Sequence, residues 1–202
     1  MFLVMKNYQN PRLRECLQNY RLLRVLHFEG DSLYNYVRLT ENFGDLSLLT
    51  YLSFRNSKIV NLPKSVGVLH NLETLDLRES GVRRMPREIY KLKKLRHLLV
   101  YDKLFGFLGG LQMEGGIGDL TSLQTLRDMD ADHVTEEVMK GLERLTIKGV
   151  GLDLCSGQFK SSLCSLINKM QRWTSYTLLY QHLGPLICNL MYVHLYFRRF
   201  AL

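Results

Sequence analysis

Three regularities in this 202-residue sequence predict an α/β solenoid of short parallel strands joined by irregular or helical return segments. The first is a recurring pattern of apolar residues. It reads Leu23-Arg-Val-Leu26-His-Phe28, Leu49-Thr-Tyr-Leu52-Ser-Phe54, Leu72-Glu-Thr-Leu75-Asp-Leu77 and Leu95-Arg-His-Leu98-Leu-Val100. The second is its period: Leu26, Leu52, Leu75 and Leu98 follow one another at 26, 23 and 23 residues. The third is that the likeness runs beyond the strand. Ile59-x-x-Leu62-Pro63-x-x-Val66-x-x-Leu69 is matched by Val82-x-x-Met85-Pro86-x-x-Ile89-x-x-Leu92.

A repeat of this length with this pattern is the leucine-rich repeat, whose strands line a horseshoe. About six repeats are expected, because degenerate copies follow at Leu123-Gln-Thr-Leu126 and Leu142-Glu-Arg-Leu145-Thr-Ile147. Alternate strand residues face opposite ways, so the leucines point inward and the residues between them outward. Each unit buries its leucines only against its neighbours. Pro63 and Pro86 fall after the strands, where a missing N–H costs no ladder bond.

The remaining elements follow in order. Residues 1–18 are expected to be an N-terminal lead-in or capping segment, and residues 19–152 the solenoid. A glycine-rich stretch from Asp102 to Gly118 reads as an inserted loop; no Gly-Lys pair exists that could make it a phosphate-binding loop. Asp128 to Glu137 carries five carboxylates and no Lys or Arg. Within it Thr135-Glu136-Glu137 predicts the start of a short helix, since acids suit the positive end of the helix dipole. Residues 153–172 read as a degenerate repeat or helix, and residues 173–202 as a hydrophobic, atypical tail. Trp173 to Phe197 has no charged residue and is long enough to span a bilayer. Its Gln181, His182, Asn189 and His194 are costly in hydrocarbon. Membrane contact through the tail is therefore the lesser expectation, behind a hydrophobic cap or a departure from the reading frame of related sequences.

Composition narrows the function. Apolar residues make up 46% and charged residues 23%, as in a globular domain. The four cysteines (Cys16, Cys155, Cys164, Cys188) are far apart, which argues against a disulfide framework or a structural zinc site. The apolar start reaches Lys6 too soon for a secretory segment, and no Asn-x-Ser/Thr acceptor occurs. These features predict a reducing, cytoplasmic location. None of the six histidines pairs with Cys or Glu at metal or nucleophile spacing. The sequence predicts no enzyme, no catalytic or metal-binding residues and no cofactor.

The stretch from Leu62 to Leu98, and more loosely Pro11 to Gln171, resembles the repeat region of plant nucleotide-binding leucine-rich-repeat disease-resistance proteins. The likeness to the coiled-coil subgroup is closest. The resemblance implies a recognition module of innate immunity that binds a pathogen effector, a guarded host protein or the nucleotide-binding domain of a resistance protein. The family's coiled coil and nucleotide-binding module have no counterpart here, so the resemblance implies the repeat region only, as in a truncated resistance protein. The alternatives are a general intracellular leucine-rich-repeat scaffold, such as one in small-GTPase signalling, or a non-functional fragment.

Solenoids bind on the concave face. The outward strand positions that predict this partner-binding face are His27, Glu29, Tyr51, Arg55, Thr74, Asp76, Arg78, His97, Tyr101, Arg127, Arg144 and Lys148. The column Glu29, Arg55, Arg78, Tyr101 is mostly basic and aromatic, a composition common at interface hot spots. A second basic cluster, Arg78 to Lys103, holds nine Lys or Arg against three acids and falls mainly on return segments. It reads as a solvated convex surface. Nucleic acid is not expected, because no reader motif or array of stacking aromatics accompanies the charge.

Overall fold

In the computed structural model, residues 1–6, 20–29, 43–57, 59–101, 111–130, 133–147, 149–154 and 175–180 are described. Of residues 5, 6, 29, 101, 128, 149–154 and 175–180 only the backbone is described. Eight parallel strands form one sheet whose spatial order is the chain order. They are β1 (Phe2–Lys6), β2 (Val25–Glu29), β3 (Tyr51–Ser53), β4 (Thr74–Arg78), β5 (His97–Tyr101), β6 (Thr125–Asp130), β7 (Gly149–Leu154) and β8 (Ser175–Tyr180). Sequential order with parallel pairing is what a chain wound once per repeat must give. The leucine-rich-repeat solenoid expected from the pattern is the observed fold.

The register explains the period. Leu26 pairs with Leu52, Leu52 with Leu75, Leu75 with Leu98 and Leu98 with Leu126. All five are fully buried. Repeats of unequal length keep this column because the difference is absorbed between strands, where no ladder is broken. Beneath β2 and β3, Phe28 stacks on Phe54 with ring centroids 4.9 Å apart. Phe43 meets both edge-on at 6.4 Å. Edge-to-face and offset contacts suit the ring quadrupole, so the aromatic trio fills a longer repeat that leucines alone would leave loose.

The return side is made of 3-10 turns, Lys64–Val68 and Arg87–Lys91, followed by Ile117–Asp119. Pro63 and Pro86 precede the first two with nearly the same dihedrals, φ −68° and −67°. Each prolyl carbonyl accepts the first turn bond, from Val66 and Ile89. Gly67 lets the turns touch: a Cβ there would lie 2.5 Å from the Glu88 carbonyl oxygen. The Tyr90 ring packs on Gly116, whose φ of +108° suits glycine. Its hydroxyl donates to the Glu114 carbonyl and accepts from the Glu114 N–H. One phenol thereby fixes the chain where it returns from the glycine-rich stretch, of which 102–110 lie outside the described residues.

That return also repairs the sheet. The Gln112 N–H donates to the Arg83 carbonyl, and the Asp130 N–H to the Leu111 carbonyl. The β6–β7 register slips between Leu126 and Met129, as at a bulge.

Past β3 and β4 the chain turns by an identical device. Asn56 and Glu79 adopt left-handed φ of 56° and 57°, and the next residue, Ser57 or Ser80, is buried. Ser57 Oγ donates to the Phe54 carbonyl and Ser80 Oγ to the Leu77 carbonyl. These serines occupy the Asn/Cys position of the repeat pattern, where a buried side chain must satisfy backbone polar groups.

Two expectations are corrected. The sixth copy, Leu142 to Ile147, is not a strand: helix α1 spans Glu136–Glu143 and β7 begins at Gly149. Thr135 caps α1 as expected, its Oγ1 accepting from the Val138 N–H at 3.3 Å. The physical reason for the misreading is that L-x-x-L is also a helix spacing. Val138, Met139 and Leu142 are buried from α1, and Val150, not Leu145, is the ladder partner of Leu126. Second, the sheet reaches beyond residues 19–152. β1 joins β2 in register at Phe2–Val25, and β8 joins β7 at Ser175–Gly149.

The turn geometry makes a direct prediction. A glutamate in the left-handed region is strained by about 1–2 kcal/mol, whereas asparagine tolerates it. Glu79→Asn is expected to stabilise the protein by about 0.5–1 kcal/mol. Ser80→Ala, which removes the hydroxyl's bonds to the Leu77 carbonyl and from the Val82 N–H, is expected to cost about 1–2 kcal/mol. Urea unfolding of the two variants against the native chain checks both signs.

Candidate functional site

The outward face of β2–β6 carries a polar layer with side-chain hydrogen bonds between β2 and β3, β3 and β4, and β5 and β6. His27 Nδ1 lies 2.8 Å from Ser53 Oγ, with the proton on either atom according to the imidazole tautomer. Ser53 is fully buried, and its Oγ also accepts from the Arg55 N–H. Two strands on, His97 Nδ1 lies 3.2 Å from Thr125 Oγ1. The pairing follows from register, since His97 faces Thr125 across the β5–β6 ladder. Strand partners spaced about 4.8 Å apart bring short polar side chains within bonding reach.

The centre of the layer is Asp76. Its carboxylate, 1% exposed, accepts from Arg78 Nε at 2.9 Å and Nη2 at 2.6 Å. It also accepts from the Arg78 N–H at 3.1 Å and from the Tyr51 hydroxyl at 3.3 Å. Burial alone would raise the Asp76 pKa. The side-chain and backbone hydrogen bonds from Arg78 outweigh it and hold the carboxyl below its ordinary range. Burial, reinforced by the Asp76 charge, pushes the Tyr51 phenol up, so it stays a neutral donor. Arg78 is thus held against the strands with part of its guanidinium still open to solvent.

The expected partner-binding residues divide accordingly. His27, Tyr51, Thr74, Arg78 and His97 are half-buried on this face, and Arg55 and Arg127 are exposed. Arg55 reaches toward Glu79, 3.9 Å away. Asp76 is on the face but buried beneath Arg78 and Tyr51, so it positions the others and offers no contact surface itself. The backbones of Glu29 and Tyr101 lie in their columns, opposite Lys6 and Arg78 respectively. Their side chains, and the whole of Lys148, lie outside the described residues. Arg144, expected on the strand face, is instead the C-cap of α1, because the strand of this repeat begins only at Gly149.

The pattern missed three features. Phe2, 65% exposed, stands in register with Val25 at the start of the face; its strand lacks the L-x-x-L lead-in, and only the apolar run Phe2–Met5 signals it. Glu79 enters as the neighbour of Arg55 through its left-handed turn. His133 Nδ1 lies 2.7 Å from Asp130 Oδ2 just past the end of β6, a local pair three residues apart. Among the described residues, no group of His, Cys, Asp and Glu could hold a metal ion, and no helix is long and apolar enough to cross a membrane.

The depressed Asp76 pKa sets a pH dependence. Its stabilisation is complete above the ordinary carboxylate pKa, near ~4, and is lost as pH falls through the lower folded value. Asp76→Asn is expected to cost about 1–3 kcal/mol at neutral pH, the worth of hydrogen bonds to a charged group. It is also expected to flatten the acid limb. Urea midpoints measured from neutral pH down to pH ~3 test this; a variant with the native acid limb would remove Asp76 from the account.

The comparisons agree with this architecture. A family model described as a leucine-rich repeat region matches residues 4–185. Disease resistance protein Pik-2 of Oryza sativa subsp. japonica is 28% identical over 155 residues, covering 63% of this chain and 15% of the relative. Disease resistance protein RGA4 of the same organism is 45% identical over 85 residues, covering 42% of this chain and 8% of the relative. The chain thus spans a small part of the length of these relatives. A leucine-rich-repeat protein of Leptospira interrogans superposes with a TM-score of 0.58 at 24% identity, covering 91% of this chain and 48% of that one, and shows the fold alone. With a family model spanning most of its length, the chain belongs to the leucine-rich-repeat family, and it is similar to the repeat-bearing part of these disease resistance proteins.

Proposed function

We propose that this chain is a protein-recognition module of plant innate immunity, acting in the cytoplasm and catalysing nothing. It would engage a polypeptide through the outward face of β2–β6. The observation that carries the reading is the Tyr51–Asp76–Arg78 cluster. A buried carboxylate there holds an arginine and a tyrosine in fixed positions on the strand face. Arg and Tyr dominate interface energetics where their rotamers are settled before binding, because little entropy remains to be lost. The likeness to resistance proteins supports the biological setting. The partner classes are a pathogen effector, a guarded host protein, or the nucleotide-binding domain of a resistance protein. The small share of each relative covered supports a repeat region that works as part of a larger receptor.

The test uses exposed residues that leave the buried network whole. Arg78 is unsuitable for charge reversal, since a glutamate there would face the buried Asp76. An Arg55→Glu, Arg127→Glu double variant is expected to keep the native circular dichroism and melting curve. In affinity capture from plant tissue it should retain roughly a tenth or less of the specific partner bound by the native chain. Equal capture by both proteins would refute the strand-face assignment.

A further inference from the structure

On the strand face the central cations have acidic neighbours. There Arg78 is matched by Asp76, and Arg55 stands beside Glu79. Among the described residues, the cations without an acidic neighbour gather on the return side, around the turns Lys64–Val68 and Arg87–Lys91. Between Arg83 and Arg96 the sequence has one acid, Glu88.

The structure sorts these cations into two groups. Some stitch repeats together. Arg87 pairs with Glu114 at 3.0 Å and Arg96 with Glu73 at 3.9 Å, while Lys93 donates to the Asp119 carbonyl at 2.8 Å. The others meet no carboxylate among the described residues. Arg84 reaches the neutral amide oxygen of Gln112 at 3.0 Å, and Lys94 that of Asn71 at 2.7 Å. Lys64, Arg83 and Lys91 have no ion pair among the described residues. All five are exposed. Because Gly67 brings the two turns into contact, the charges of both repeats add into one field rather than two.

We propose that this ridge (Lys64, Arg83, Arg84, Lys91 and Lys94) is a second docking surface, taking an acidic segment of another polypeptide. It is separate from the strand face and does not depend on it. Charge complementarity selects the sign of the partner, and the surroundings select its class. Tyr90, the aromatic side chain of the second turn, is buried, so neither turn offers a Phe, Tyr or Trp ring to stack on nucleic-acid bases. Val68, 45% exposed, is the large exposed apolar side chain of the two turns, too little to insert into a bilayer. Glu88, Glu114 and Asp119 interrupt the cations, which a uniformly anionic membrane would meet with repulsion. A polypeptide with spaced carboxylates avoids them.

The experiment uses the full chain and a fluorescein-labelled oligoglutamate peptide, read by fluorescence anisotropy at low and physiological salt. Native protein should bind, and binding should weaken with salt as the Debye length falls to ~8 Å. A Lys64→Glu, Lys91→Glu, Lys94→Glu variant should bind roughly tenfold more weakly. Arg55→Glu, on the strand face, should change affinity by less than about twofold. If the triple reversal alters the melting curve, glutamine at the same three positions removes the charge without repulsion and should give a smaller loss of the same sign. Unchanged binding by either triple variant overturns the proposal. So does tighter, ridge-dependent binding of phosphatidylserine vesicles or a single-stranded oligonucleotide than of the peptide, since the partner class would then be wrong.

Discussion

The column of in-register leucines is the constraint from which the rest of the molecule follows. Leu26, Leu52, Leu75, Leu98 and Leu126 are all fully buried, and Leu52, Leu75 and Leu98 each have an equivalent leucine in register on either side. No repeat has a core of its own, so stability accrues from interfaces between neighbours. Such an arrangement tolerates variation in repeat length, provided the strands return to register. The Phe28–Phe43–Phe54 trio shows how a longer repeat refills the interior. The Tyr90 phenol does the same work for polar groups, closing on the backbone of Glu114 after the glycine-rich stretch.

Register also organises the polar side chains. Once leucines are stacked, the residues between them must stack too, and Tyr51, Thr74, His97 and Thr125 fall into one column. Within it His97 and Thr125 are linked laterally, and Tyr51 bonds Asp76 across columns. The result is a strand face whose groups are largely bonded to one another before any partner arrives. Asp76 is the extreme case: an outward position by periodicity, yet buried by the side chains it holds. A preorganised face of this kind suits recognition, because less freedom is lost on binding.

The two sides of the solenoid distribute charge differently for a geometric reason. On the strand face, neighbouring side chains stand close and pair across columns. On the return side the turns splay their side chains outward, where long cations reach only some of the acids of the next repeat. Arg87 finds Glu114, while Lys91 finds no carboxylate among the described residues. Basic character that looks uniform along the chain is therefore partly spent on inter-repeat ties and partly left over.

Much of the fold was legible because a repeat states its structure several times. Period, the L-x-x-L-x-L pattern and the matched Leu-Pro shoulders sufficed for parallel strands, buried leucines and outward columns over Leu23 to Leu126. The Thr135 cap was legible as well, since capping chemistry is local. What failed was register wherever local pattern was ambiguous. Leu142 to Ile147 satisfies both a strand lead-in and a helix face, and packing against the preceding repeat chose the helix. β1 and β8 carry too little pattern to be recognised, yet their backbones complete ladders that an adjacent strand offers. Which outward residues stay accessible was equally hidden, because the burial of Asp76 depends on where Arg78 and Tyr51 come to lie. The sequence by itself determined the repeat and its apolar interior, since these rest on short-range periodicity. Tertiary structure alone decided the ends of the sheet, the pairing of the polar layer and the spare cations, since each depends on residues brought together from different repeats.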